Sequence, residues 1–155
     1  TNLSPSCRAR NKTTMVMSLS DLDVMVVDDD EFTRKTAAQI LKKLKVGSVT
    51  EATNGMHALA ELVAWYPNNL PNIVLSDISM EFMDGFDFVD KVRDHELPSI
   101  RSIPIVLITA HGDMDTVKKA MKRDIDGFLT KPLSIPRLKT RLVQLLEVLS
   151  STDND

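Results

Sequence analysis

The alternation of short apolar runs with amphipathic segments constrains the fold of this chain more than any other feature. The apolar runs are DVMVV (23–27), SVTEAT (48–53), NIVLS (72–76), IPIVLIT (103–109) and GFLT (127–130). Three of these runs are nearly all apolar, as expected for parallel strands that are covered on both faces. Five strand–helix units with short connections predict an α/β fold, in which a single doubly wound parallel sheet of five strands carries five helices.

The segments between the runs have helical periodicity, and each places apolar residues along one face. These faces comprise Phe32, Ile40, Leu41 and Leu44; Leu59, Leu62 and Val63; Phe86, Val89 and Val92; Val117, Ala120 and Met121; and Leu138, Leu142, Leu145 and Leu149. Gly47 is the expected stop of the first helix, and Pro67 ends the second. Ser134 is the expected cap of the last helix, with Pro136 in its first turn.

Length and composition limit the number of domains and the cellular compartment that we expect for this protein. The 155 residues suit one domain, 21–150, between a flexible N-terminal tail (1–20) and a short C-terminal tail (151–155). The lone Cys7 cannot form an internal disulfide, and no apolar run reaches the roughly 18–20 residues of a membrane span, so we expect a cytoplasmic protein. Residues 21–155 carry 16 basic and 22 acidic side chains, which makes nucleic acid a poor partner.

Polar side chains follow four of the predicted strands at the point where each strand ends. Three aspartates (28–30) follow the first strand, Asp77 follows the third, Thr109 closes the fourth, and Lys131 follows the fifth. In an open α/β sheet, ligands bind outside the carboxyl ends of the strands. We therefore expect the carboxylates, the hydroxyl and the ammonium to converge on one crevice.

Such a crevice has the groups needed to form an aspartyl phosphate. Clustered carboxylates repel one another, and Mg²⁺, which prefers hard oxygen ligands and a phosphate oxygen, would neutralise them. A carboxylate beside the metal, such as Asp77, can act as a nucleophile towards phosphorus. Lys131 and Thr109 would supply charge neutralisation and hydrogen bonding to the phosphoryl oxygens.

The motifs that carry these residues resemble the receiver domain of two-component response regulators. The segments are VMVVDDDE, VLSDISMEFMDGFDF, ITAHGD and GFLTKP, spaced by 48 residues from Asp29 to Asp77, 32 to Thr109 and 22 to Lys131. The resemblance covers about residues 21–150. It implies the flavodoxin-like strand order 2-1-3-4-5 of the chemotaxis regulators.

The resemblance also implies roles for the acidic residues. Asp77 is then the phosphoacceptor, and Asp28 and Asp29, together with Asp77 and the backbone carbonyl of Ser79, hold Mg²⁺. Asp30 lies beyond the matched pair, and we interpret it as a helix-start acid that the helix dipole favours.

Three further roles follow from the same resemblance. Thr109 matches the switch hydroxyl, Lys131 the phosphate-pairing lysine and Phe128 the switch aromatic, and the peptide bond after Lys131 is expected to be cis. An ordinary packing role for Phe128 stays open. Ser79 and His111 border the phosphoryl site, so they are candidates for tuning the lifetime of the phosphate.

A receiver implies protein partners. The phosphodonor would be a histidine kinase or a histidine phosphotransfer protein, and the output protein, as yet unidentified, would bind the surface of the fourth helix, fifth strand and fifth helix. The fourth helix carries a basic group, Lys118, Lys119, Lys122 and Arg123. This group is either a solvated helix face or an output or homodimer surface. No helix-turn-helix or zinc motif is visible, so we expect no direct binding of nucleic acid and no contact with a membrane.

Three other classes of protein fit the sequence less well than the receiver. A dehalogenase-type phosphatase also uses an Asp nucleophile with Mg²⁺, but it needs a second Asp where this chain has Ser79. Dinucleotide-binding relatives need a glycine-rich loop after the first strand, and none follows. A phosphate-independent interaction module lacks support because no site residue is missing. We therefore expect a signalling switch rather than an enzyme, with self-catalysed phosphorylation and dephosphorylation only.

Overall fold

The protein is built on a single parallel sheet. The computed structural model describes residues 18–153. The five strands are β1 (Asp23–Val27), β2 (Ser48–Ala52), β3 (Ile73–Asp77), β4 (Ile105–Thr109) and β5 (Gly127–Thr130). All neighbouring pairs run parallel, in the order β2-β1-β3-β4-β5, which confirms the predicted fold and strand order.

Each strand is followed by a helix, as predicted. The helices are α1 (Glu31–Lys43), α2 (Gly55–Trp65), α3 (Gly85–Arg93), α4 (Met114–Met121) and α5 (Ile135–Asp153). The structure adds a sixth, one-turn helix (Pro98–Arg101) inside the long connection between α3 and β4. No helix among residues 18–153 has both the length and the apolar composition needed to span a bilayer.

The predicted domain boundaries stay a prediction. Residues 1–17 of the predicted N-terminal tail, and the last two residues of the C-terminal tail, lie outside the described part of the chain. Near the predicted boundaries, a 3-10 turn spans Leu19–Asp21 and α5 extends to Asp153.

The helices begin at short polar side chains that bind free backbone N–H groups. In α1 to α4, the caps Asp30, Asn54, Asp84 and Asp113 each accept a hydrogen bond from the N–H three residues on. Ser134 does the same for α5, at 3.3 Å, as predicted. Because each helix follows a parallel strand, these helix starts gather at the carboxyl end of the sheet.

The expected role of Gly47 as the stop of α1 is wrong. The residue with positive φ is Lys45, at 62°, and the N–H of Val46 donates to the carbonyl of Leu41, which closes a Schellman-type turn. Gly47 is needed for a different reason: a Cβ there would lie 2.6 Å from the carbonyl oxygen of Ser20.

The core has two apolar layers, one on each face of the sheet. The first is formed with α1 and α5, and the second with α2, α3, the one-turn helix and Ala120 of α4. Three residues assigned to buried helix faces are instead exposed: Phe32 (81%), Val63 (51%) and Met121 (72%). Each lies in the first or last turn of its helix. Phe32 precedes Ala37, the first buried residue of α1, so the core does not reach it. Val63 and Met121 directly follow the fully buried Leu62 and Ala120, so they lie beside the buried stripe, which is narrower than the periodicity predicts.

Candidate functional site

The predicted carboxylate cluster forms at the carboxyl end of the sheet. Asp28 and Asp29 follow β1 and Asp77 ends β3, and one carboxylate oxygen of each lies within 4.8 Å of the others. The two strands are neighbours in the sheet, which brings these residues together. Asp28 and Asp77 are buried, with 4% and 7% exposed, and Asp29 is exposed. The sequence therefore predicted this convergence correctly.

Lys131 reaches the cluster from the far edge of the sheet. Its Nζ lies 3.2 Å from Asp77 Oδ1 and 3.3 Å from Asp28 Oδ2. Its backbone N–H donates to the carbonyl of Thr109 at 2.7 Å, and its peptide bond to Pro132 is cis, as the resemblance implied. One ammonium thus bridges two buried carboxylates.

The other predicted site residues differ in their exposure to solvent. Thr109 ends β4 with 2% exposed, and its Oγ1 accepts the backbone N–H of His111 at 3.0 Å. Ser79 and His111 are exposed, in the loops that follow β3 and β4. Phe128 is half-buried on β5 and packs against the second apolar layer. Thr109 thus lies at a strand end, Ser79 and His111 lie in loops and Phe128 lies within β5, and the roles assigned to these four residues stay predictions.

The loop between β3 and α3 supplies two features that the sequence reasoning missed. The backbone N–H of Glu81 donates to Asp29 Oδ2 at 3.0 Å, which orients the one exposed carboxylate of the cluster. Gly85 lets α3 start against the strand, since a Cβ there would lie 2.4 Å from the carbonyl oxygen of Asp77. A backbone donor leaves no signal in the side-chain pattern. Gly85 lies in the segment VLSDISMEFMDGFDF, and the glycine itself was the signal that could have revealed this close approach.

Asp30 does not join the cluster. Its side chain accepts the N–H of Thr33 as the cap of α1, which confirms the interpretation as a helix-start acid. Its backbone N–H donates to Asp28 Oδ1 at 2.9 Å, and Arg34 donates to the carbonyl of Asp28 at 3.0 Å. The start of α1 therefore holds Asp28 in position.

Burial dominates the electrostatics of the site. Burial, together with the neighbouring Asp28 carboxylate, raises the pKa of Asp77 to about 6, although Lys131 opposes the shift. Burial lowers the pKa of Lys131, but the carboxylates of Asp77 and Asp28 outweigh it, so the pKa rises overall. The crevice thus holds a costly negative charge that only one cation offsets among the described residues.

The predicted basic group lies only in part on α4, because the helix ends at Met121 and both Lys122 and Arg123 follow it. Lys118, Lys119 and Lys122 are exposed, but the guanidinium of Arg123 turns towards α3. It lies 4.5 Å from the ring centroid of Phe86 and forms an ion pair of 3.2 Å with Asp90.

Comparison with known proteins identifies the family. The family model of the response regulator receiver domain matches residues 24–143. The chain is 30% identical over 123 residues to the chemotaxis protein CheY of Halobacterium salinarum, which covers 79% of this chain and 95% of that protein. It is also 28% identical over 155 residues to the hybrid signal transduction histidine kinase D of Dictyostelium discoideum, and it spans 10% of the length of that kinase.

A solved structure agrees with this assignment. The CheX–CheY–BeF₃–Mg²⁺ complex from Borrelia burgdorferi contains a chain that is 27% identical, with a TM-score of 0.70, over 80% of this chain and 88% of that chain. The matched residues include both ends of the acidic crevice, from the aspartates after β1 to Lys131. The chain therefore belongs to the receiver domain family of two-component response regulators.

Proposed function

We propose that this protein is a phosphorylation-activated switch that accepts a phosphoryl group on Asp77. One observation carries the proposal: the Asp77 carboxylate is buried at the bottom of the crevice, 3.2 Å from Lys131 Nζ and within 4.8 Å of two further carboxylates. The family is one of signalling domains rather than of enzymes. The phosphodonor we propose is a histidine kinase or a histidine phosphotransfer protein.

The acidic cluster fits a divalent cation that prefers oxygen ligands. Three carboxylates meet here, and Lys131 alone does not balance their charge. Asp28, Asp29, Asp77 and the backbone carbonyl of Ser79 would hold Mg²⁺. The ion would supply neutralisation of the charge that develops on the phosphoryl oxygens.

The transfer step uses Asp77 as the nucleophile. Because its pKa is about 6, the carboxylate is mostly ionised above neutral pH. A bond forms between a carboxylate oxygen and phosphorus as the phosphorus–nitrogen bond of the donor histidine breaks. The imidazole leaves with the electron pair and takes up a proton. Lys131 would stay within reach of the new phosphoryl oxygens and hold them in place.

The resulting charge would act on Thr109 and the segment that follows it. A phosphoryl group adds about 1.5 to 2 negative charges, and the hydroxyl of Thr109 would turn towards it as a donor. Thr109 leads directly into the loop before α4, so its movement would shift that helix and the half-buried Phe128. The surface of α4, β5 and α5 would then bind an output protein or a second copy of the chain. Ser79 and His111, at the rim, would tune the access of the hydrolytic water.

Intact mass measurement with acetyl phosphate and Mg²⁺ tests the proposal. We expect a gain of one phosphoryl group that depends on Mg²⁺ and is absent in Asp77→Asn. The matched control is Asp23→Asn, which changes an aspartate at the opposite end of the sheet. No gain in the wild type, from acetyl phosphate or from phosphohistidine proteins, would contradict the proposal and favour a phosphate-independent interaction module.

A further inference from the structure

Two phenylalanine side chains project into solvent beside the crevice. Phe32 and Phe82 are 81% and 83% exposed, more than any other large apolar side chain in the described part of the chain. Phe32 lies in the first turn of α1, two residues after the cap Asp30. Phe82 lies in the loop between β3 and α3, next to Glu81, whose N–H binds Asp29. The two phenylalanines therefore belong to the two segments that carry Asp29 and its backbone donor, Glu81.

The backbone at Phe82 is strained. Its φ is 70°, a value that bulky residues rarely adopt, and the N–H of Met83 donates to the carbonyl of Glu81 at 2.8 Å. A hydrogen bond across one residue with positive φ defines a γ-turn of the less stable kind, with Phe82 at its apex. Glycine or asparagine would occupy this conformation at lower cost. A strained residue at a functional site suggests that its side chain has a role there.

The loop fixes the backbone that carries this ring. The side chains of Met80 and Met83, on either side of Phe82, pack against the core. The N–H of Gly85 closes the loop onto the carbonyl of Ile78 at 2.7 Å. Phe82 is thus the large apolar side chain of this loop that is exposed, whereas Met80 and Met83 are partly buried. A rigid exposed aromatic residue binds a partner with little loss of conformational entropy.

The position of the rings restricts what can bind them. Asp77 is almost fully buried, so a phosphohistidine on a protein surface reaches it only when that surface covers the rim of the crevice. The segments that carry the two rings also carry exposed carboxylates: Asp29, Asp30, Glu31 and Glu81. An apolar spot surrounded by negative charge is complementary to a surface that presents apolar and basic side chains.

We propose that Phe82 and Phe32 are the docking contacts for the protein that donates the phosphoryl group. This inference rests on the proposed function. The partner is a protein whose histidine-bearing surface offers an apolar patch flanked by basic residues. The rings act in docking and leave the chemistry at Asp77 unchanged.

Two phosphodonors separate docking from chemistry. The first is a phosphorylated histidine-containing phosphotransfer protein, chosen from a panel as the fastest donor to the wild-type chain. The second is phosphoramidate, which is too small to contact the rim and the crevice at once. The variants are Phe82→Asn, which suits a positive φ, Phe32→Ala and the double variant. Phe82→Tyr keeps an aromatic ring, and Val63→Ala removes an exposed apolar side chain from α2 as the matched control.

We expect the double variant to lose at least about tenfold in kcat/KM with the protein donor, as for the loss of an aromatic anchor. Its rate with phosphoramidate should stay unchanged, and Phe82→Tyr and Val63→Ala should behave as the wild type with both donors. An unchanged rate with the protein donor would overturn the proposal, as would a panel in which no member exceeds phosphoramidate.

Two further outcomes would give the two rings a role other than docking of the phosphodonor. An equal loss with both donors would mean that the rings support the geometry of the crevice, and it would contradict docking. A wild-type dimer that dissociates in the double variant, with transfer unaffected, would assign the rings to self-association. Failure of the wild type with phosphoramidate, acetyl phosphate and every phosphotransfer protein of the panel would instead refute the proposed function itself.

Discussion

The helices α4 and α5 border the same edge of the sheet, but they are held to it very differently. The last helix buries four leucines with at most 8% exposed, and the shorter α4 buries a single alanine. The buried residues are Leu138, Leu142, Leu145 and Leu146 in α5, and Ala120 in α4. At the two ends of α4, Met114 and Met121 are 71% and 72% exposed.

This difference has an energetic meaning. Full burial of a leucine side chain stabilises a fold by about 1.5–3 kcal/mol, so α5 is tied to the core by several such contributions. Beyond that alanine, the end of α4 is held by a polar, half-exposed contact: Arg123, two residues after the helix, lies over Phe86 and pairs with Asp90. The helix that follows Thr109 is therefore the one that can move at low cost, which is what a switch requires.

The largest expected effect comes from the core side of α5. Leu142→Ala should lower the free energy of unfolding by about 2–5 kcal/mol, because it leaves a cavity where the side chain is fully buried. Urea denaturation measures this loss. A change below about 1 kcal/mol would mean that α5 is not the anchored helix.

Removing the charge of Asp77 from the crevice should stabilise the protein, in contrast to the loss expected from Leu142→Ala. The pKa of Asp77 is raised to about 6, so its carboxylate destabilises the native state above that pH. Without Mg²⁺, Asp77→Asn should raise the free energy of unfolding by up to about 3 kcal/mol at pH 8. The gain should shrink as the pH falls below about 6, the pKa of Asp77 in the folded state. It should vanish below the unfolded-state pKa of about 4, because Asp77 is then protonated in both states. Destabilisation at pH 8 would contradict the unfavourable charge.

The attachment of α4 to α3 should contribute less. Arg123→Ala removes the contact with Phe86 and the ion pair with Asp90, and we expect a loss of about 1 kcal/mol. Hydrogen exchange should become faster in α4 and stay unchanged in α5. The control is Lys118→Ala on the exposed side of α4. Equal effects of the two substitutions would show that Arg123 does not hold the helix.

The smallest effect is expected at the exposed end of α4. Met121→Ser should change the free energy of unfolding by no more than about 0.5 kcal/mol, because the side chain is already in water. A loss above 1 kcal/mol on thermal or urea denaturation would mean that Met121 is packed in solution, and the contrast with α5 would weaken.

Much of the fold and the centre of the site could be predicted because both depend on local patterns. Apolar runs fixed the strands, and the strand ends identified Asp28, Asp77, Thr109 and Lys131. Parallel strand ends meet at one edge of a sheet, so the convergence followed from topology.

The rest depended on contacts between distant segments, which the sequence does not encode locally. Gly47 marked a close approach to the carbonyl of Ser20 rather than the end of α1. The exposure of Phe32 depends on where the sheet stops beneath the helix. The N–H of Glu81, which binds Asp29 across 52 positions, belongs to the backbone and has no residue preference.

Hydrogen exchange on the phosphorylated protein tests the central claim, that Asp77 controls α4 while α1 and α5 stay in place. The wild type and Asp77→Asn would be compared with and without acetyl phosphate and Mg²⁺, followed by mass spectrometry of peptides. We predict altered exchange in residues 110–121 of the wild type alone, with residues 31–43 and 135–150 unchanged. Unaltered exchange in residues 110–121 of a chain shown to be phosphorylated, or an equal change across α5, would contradict the account.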